Sequence, residues 1–279
     1  MARKSNSVTP VAVRLPATLL TCGARTLDML TFAQVLSTPA WWMTALAVLC
    51  ASALQTATGA GLGLVAAPVL LLALQSTEAV HVAVILNLTL SLALLPSERH
   101  QVPVRPLLAL TGAALAGIPL GAWLLHSVGV RTLTLLAGVT VLLGAAQLLI
   151  QRRDQPAGNP NVTLGIAGTL AGLMTGALAI PGPAALWGLA RIGLPAMSVR
   201  AVLRAFFALV YSVTLIVSAS LGIEWALVLT TTAWMLPSLI AGAGLGVWLK
   251  RRASEAALRT AFITLLIVMG AALVVDYLV

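Results

Sequence analysis

Charged side chains make up only 8% of the 279 residues. Soluble domains carry about 25%, so a water-covered globule of this size is excluded. Cysteine is nearly absent. Cys22 and Cys50 are the only two, too few for a disulfide framework or a cysteine-built zinc site. The three histidines, His81, His100 and His126, are scattered and have no metal-ligand spacing. Also missing is the Gly-x-x-x-x-Gly-Lys-[Ser/Thr] loop that cradles phosphates, so the chain does not hydrolyse ATP itself. No His-x-x-x-His, paired carboxylates or Ser/His pair lies within an apolar stretch. An intramembrane enzyme needs such a set, so neither catalytic residues, nor a metal, nor a cofactor is expected.

What is abundant is apolar. Hydrophobic residues reach 60% and the mean hydropathy is +1.04, which defines an all-α, polytopic membrane protein. The formal net charge of +9 reads as the Lys and Arg of membrane loops rather than a nucleic-acid surface. A span needs about 20 apolar residues. Eight apolar blocks follow Trp41: 41–75, 79–96, 106–126, 131–151, 162–190, 197–219, 225–249 and 257–278. Trp41, Trp42, Trp123, Trp225 and Trp248 fall near block ends, as interfacial aromatics do. Residues 1–38 form a basic extension with only short apolar runs, read as an interfacial segment; Leu19-Leu20-Thr21-Cys22 only faintly resembles a lipoprotein cleavage site.

Two blocks are interrupted. The first contains Thr56-Ala-Thr-Gly-Ala-Gly-Leu-Gly63 followed by Pro68, and the fifth contains Thr175-Gly-Ala-Leu-Ala-Ile-Pro-Gly-Pro183. Glycine and proline at this density break a helix. Lipid tolerates the break only inside protein or beside a wet cavity. The interrupted blocks also stand in corresponding places. Thr58-Gly59-Ala60 recurs as Thr175-Gly176-Ala177, Gly121-Ala-Trp-Leu124 as Gly246-Val-Trp-Leu249, Arg131-Thr132 as Arg259-Thr260, and Gly144-Ala-Ala146 as Gly270-Ala-Ala272. The same order in both halves marks an internal duplication: a first transmembrane repeat over 39–151, a linker over 152–161, and a second repeat over 162–279. Paired Gly/Pro-broken segments in two repeats are the sequence pointer to a transporter's midplane site.

Charge selects the topology. If all eight blocks span, the 16 Lys and Arg divide evenly between the two sides. If blocks one and five are re-entrant hairpins, 11 fall on one side and 5 on the other, as cytoplasmic enrichment of Lys and Arg requires. Each half then has three full spans, and the repeats are inverted. In that arrangement the hairpin tips meet near the midplane. Their helix N-termini suit an anion, and Gly59, Gly61, Gly176 and Gly182 allow close backbone approach. Those four are expected to resist substitution more than Gly138 or Gly270. Thr56, Thr58 and Thr175 offer hydroxyls, Pro181 shapes the second tip, and Asn87 adds a buried amide, which alternatively pairs only between helices. Arg200 and Arg204 share a helix face; Arg200 is expected to reach the interface and Arg204 to contact the anion or snorkel. Glu78 and His81 are three apart, suited to a proton relay or to an interfacial pair facing water.

These segments resemble the TauE/SafE family of sulfite and organosulfonate permeases. The resemblance rests on Gly59-Ala-Gly-Leu-Gly63 leading to Pro68, and on Gly172-Leu-Met-Thr-Gly176 leading to Ile180-Pro-Gly-Pro183. It also rests on Gly117-Ile-Pro-Leu-Gly121 and Gly242-Ala-Gly-Leu-Gly246, over about residues 43–278. Leu62 and Ile180-Pro181 depart from the adjacent glycines common in the family. The resemblance implies a multi-pass permease of the cell (inner) membrane for a sulfonate, sulfite or related sulfur oxyanion, driven by protons in the simplest case. Its partners are then the small anion and the lipid bilayer, with room for a homodimer. An anion channel or a non-transporting membrane subunit is the alternative.

Overall fold

The computed structural model describes residues 39–59, 61–97, 99–150, 159–220 and 222–278. The basic extension, Cys22 within it, and most of the linker lie outside them. The described residues form ten α-helices and no strand: α1 (Pro39–Thr58), α2 (Leu62–Leu74), α3 (Glu78–Leu94), α4 (Val104–Ser127), α5 (Val130–Ile150), α6 (Pro160–Leu178), α7 (Gly182–Arg191), α8 (Ala196–Ser218), α9 (Trp225–Arg252) and α10 (Glu255–Leu278). Six are long and apolar enough to cross a membrane: α4, α5, α6, α8, α9 and, over Ala256–Val275, α10. The protein is therefore a multi-pass membrane protein. α2 and α3 are apolar but shorter. α8 lies innermost: 67% of its apolar window is buried, against 28% for α10.

Local chemistry sets the helix ends. Asn159 accepts a hydrogen bond from the Asn161 N–H (3.0 Å) and Pro160 opens α6, the usual N-terminal arrangement. Lys250, Arg251 and Arg252 close α9, where cations meet the negative end of the helix dipole. The helix-breaking segments lie where the glycines and prolines stand. Gly59 (φ +93°) and Gly61 (φ +148°) separate α1 from α2, in conformations that side chains rarely adopt. α6 ends at Ala179 in the left-handed region (φ 58°), with the Ile180 N–H returning to the Met174 carbonyl (3.2 Å). Pro181 then cannot continue the helix. α7 turns back beside α6, with Gly188 against Ala167 and Thr163.

Helices of the first half pack on helices of the second. Along α4 and α6 backbone meets backbone: Gly117 lies on Thr169 and Leu173, Gly121 on Leu173 and Gly176, and Gly172 on Ala114. These contacts advance along both helices together, so α4 and α6 run in the same direction. α9 and α1 repeat the arrangement, with Gly242 on Leu49 and Ser52 and Gly246 on Ala53 and Thr56. Small residues four apart permit such approach in lipid. α5 and α10 run oppositely and cross at Gly138 and Gly270, each of which packs tightly on the other helix. Gly138 and Gly270 are thus packing glycines of this crossing. The recurring Arg-Thr pairs hold its ends. Arg131 Nη2 donates to the Tyr277 carbonyl at 2.7 Å, and Arg259 Nη2 donates to the Leu148 carbonyl. Outward faces carry large apolar side chains, among them Trp42, Leu108, Trp123, Ile240 and Trp248, a surface suited to lipid.

Candidate anion site at the two helix breaks

The two breaks are brought together. A Cβ added to Gly63 would fall 2.4 Å from the Ala179 carbonyl oxygen, so only glycine fits there. Between the breaks lies a small cavity of about 10 Å³, lined by Gln55, Gly61, Gly63, Leu64 and Asn87 from the first half and by Ile180, Pro181, Gly182, Phe207 and Tyr211 from the second. That volume holds about one water molecule.

α2 and α7 both begin at this cavity. The Leu62 N–H donates to Gln55 Oε1 (2.8 Å), and the Val65 N–H to the Gly61 carbonyl (3.2 Å). Helical geometry leaves the first-turn N–H groups of Gly63 and Leu64 without an intrahelical acceptor. In α7 the Ala185 N–H reaches the Pro181 carbonyl (3.2 Å), and Gly182 supplies the N–H of the first position, Pro183 after it having none. Both helix N-termini present partial positive charge to one space, an arrangement that favours an anion. Tyr211, fully buried in α8, donates to the Ala179 carbonyl at 3.2 Å and fixes the second break. Asn87, also fully buried, donates through Nδ2 to the Ala83 carbonyl at 2.8 Å. Its Oδ1 has no hydrogen-bond partner among the described residues.

Of the residues singled out from sequence, Gly61, Asn87, Pro181 and Gly182 line the cavity. Gly59 lies beside it, covered by the Arg200 side chain, whose Cγ would stand 3.0 Å from an added Cβ. The aliphatic stem of Arg200 thus lies against the first break, with the residue half-buried. Arg204 is 3% exposed, and its Nη2 donates to the Thr56 carbonyl at 3.4 Å. It faces the C-terminal end of α1, one helical turn before Phe207. Gly176 is inside α6, against the Ile118 carbonyl and Ala122 of α4. Thr58 and Thr175 hydroxyls bond back to Leu54 (2.7 Å) and Ala171 (2.6 Å) of their own helices, and the buried Thr56 hydroxyl has no partner among the described residues. Glu78 accepts from the Ser76 hydroxyl in the α2–α3 turn, while His81 is buried with its ring edge to Trp225 at 6.3 Å; neither lines the cavity. Sequence reasoning passed over Gln55, Phe207 and Tyr211. Two of them left a trace: Gln55 is a polar residue inside an apolar block, and Tyr211 lies seven residues after Arg204, on the same helix face. No group of three or more potential metal ligands occurs among the described residues.

A helical membrane protein whose broken helices converge on an uncharged, partly polar cavity has the architecture of a transporter. The family model described as "Sulfite exporter TauE/SafE" matches residues 44–273, most of the chain, and the protein belongs to that family. No curated protein and no solved structure matches it.

Proposed function

We propose that this chain is a secondary transporter that carries a small sulfur oxyanion, sulfite or an organosulfonate, across the cytoplasmic membrane with the proton gradient as its driving force. The observation that carries this reading is the convergence of two helix N-termini on one cavity, with family membership naming the chemistry of the cargo. The binding element is the pair of breaks, with Gly61, Gly63 and Gly182 keeping the backbone approachable and Asn87 beside them. Arg200 and Arg204 raise the local potential and hold the first break in place.

The same reading takes the halves as inverted repeats with re-entrant first segments. It is supported by the opposite course of α5 and α10, by the reciprocal Arg131 and Arg259 bonds at their ends, and by α4 running with α6 while α9 runs with α1. Two spans joined by two residues, as α4 and α5 are, must cross in opposite directions, as must α9 and α10. Corresponding helices then point oppositely throughout. Alternating access follows as the parting of the two breaks toward one side or the other.

Purified protein in liposomes tests the function. Labelled sulfite should enter saturably, accelerate against unlabelled sulfite on the far side, and accumulate when a proton gradient is imposed. Linear, gradient-insensitive flux would show a channel instead, and absent flux with intact insertion would show a non-transporting subunit.

A further inference from the structure

The orientation of the Asn87 amide is not free. The Ala83 carbonyl on the preceding turn can only accept, so Nδ2 must face it and Oδ1 must face the other way. The buried group that Asn87 adds to this cavity is therefore an acceptor. The breaks also present donors there, the first-turn N–H groups of Gly63, Leu64 and Gly182, while the other acceptors, Gln55 Oε1 and the Ala179 carbonyl, are already met by the Leu62 N–H and the Tyr211 hydroxyl. A buried acceptor left unmet is destabilising, and a fully deprotonated oxyanion would set two acceptors against each other.

We infer that the site, widened beyond its one-water volume as the two breaks part, takes an anion bearing a proton of its own, hydrogen sulfite in the case of sulfite, whose O–H donates to Asn87 Oδ1 while its charged oxygens accept from the two helix N-termini. This rests on the reading of the cavity as the transport site. It also says where a transported proton rides. Gln55, Asn87, Phe207 and Tyr211 are the side chains with π or polar groups lining the cavity, and none titrates near neutral pH. On the elements packed against Asn87, α2 has no ionisable residue and α8 presents Tyr211, Arg204 and Arg200. α9 has only Lys250, Arg251 and Arg252 at its far end, and on α3 itself Glu78 and His81 lie about 9 Å or more along the axis at 1.5 Å per residue. The substrate thus carries the proton across as part of itself, and no relay through Glu78 and His81 is needed.

The test is the affinity of purified protein for sulfite and for methanesulfonate, read by thermal stabilisation between pH 6 and pH 9. Methanesulfonate has the same anionic head, no ionisable proton in this range and no O–H to donate. The expected result is that apparent affinity for total sulfite falls about tenfold per pH unit above its second ionisation and is constant when expressed as hydrogen sulfite. Methanesulfonate should bind at least tenfold more weakly, without pH dependence. Asn87→Leu should bring the two ligands to similar affinity and flatten the sulfite profile. If that variant fails to fold, the wild-type comparison alone decides. A flat sulfite profile with methanesulfonate equally tight overturns the inference, is the result expected if water alone meets Asn87, and leaves the transport function standing. Stabilisation by neither anion at any pH overturns both.

Discussion

Arg204 and Gln55 show how single side chains hold the first break. Arg204 places a permanent charge against the carbonyl end of α1 from a buried position. Its forked guanidinium can serve that carbonyl and an anion through separate nitrogens in a fixed plane, which the single nitrogen of a lysine does not offer. Arg204→Ala is expected to weaken sulfite affinity tenfold or more in protein that still inserts, with Arg204→Lys in between. Unchanged affinity in both variants would reduce Arg204 to a cap on α1. Gln55 satisfies the buried Leu62 N–H from seven residues upstream. Gln55→Leu should therefore lower stability by about 1–3 kcal/mol, while Gln55→Glu, which keeps an acceptor at the same reach, should lower it less; thermal melting in detergent measures both. Such residues were hard to read from sequence because their partners are backbone groups whose positions depend on where the helix stops. Asn87 was legible, being the one amide between Glu78 and Leu94.

At the level of the helix, the glycines sort into two kinds that composition cannot distinguish. Gly61 and Gly63 serve the break itself. Gly117, Gly121, Gly172 and Gly176 bring α4 and α6 into backbone contact, and Gly242 and Gly246 do the same for α9 and α1. Gly112 and Gly165 have nothing within 4 Å of an added Cβ. Overpacking a close interface costs about 1–3 kcal/mol. Gly117→Ala and Gly172→Ala should lower the melting temperature clearly, and Gly112→Ala and Gly165→Ala should leave it within error. Equal tolerance would mean that the helices are not in backbone contact. The sequence marked the first break well because two glycines there take positive φ. It marked the second less well. The repeat of Thr-Gly-Ala aligned Gly176 with Gly59, yet the chain leaves the helix at Ala179, an alanine in a conformation that usually asks for glycine, and Gly176 is spent on packing against α4. Pro181 was the sounder signal, since its missing N–H stops the helix whatever surrounds it.

Across the whole molecule, the recurring Arg-Thr pair shows both the reach of sequence reading and its limit. The repetition was visible, but its use, two arginines each binding the far end of the other's helix, needs the three-dimensional crossing of α5 and α10. The proposed inverted topology makes a separate prediction. With the native cysteines replaced, Gln101→Cys, Asn159→Cys and Ser254→Cys should react with an impermeant thiol reagent from one side, and Ser127→Cys and Glu224→Cys from the other. Ser254→Cys reacting with the second set would mean that the repeats are not inverted. The proposed transport needs the anion to sit between the two breaks, and Gly182→Ala tests that placement with least disturbance. An added Cβ at Gly182 meets only Phe207 at 3.9 Å and Leu64 at 4.0 Å, ordinary contacts, and both neighbours line the cavity, so the methyl group fills the binding space without straining the fold. The measurement is sulfite affinity of Gly182→Ala beside wild type, together with the melting temperature of each without ligand. The expected result is affinity at least tenfold weaker at an unchanged melting temperature, and wild-type affinity in the folded variant would contradict the site.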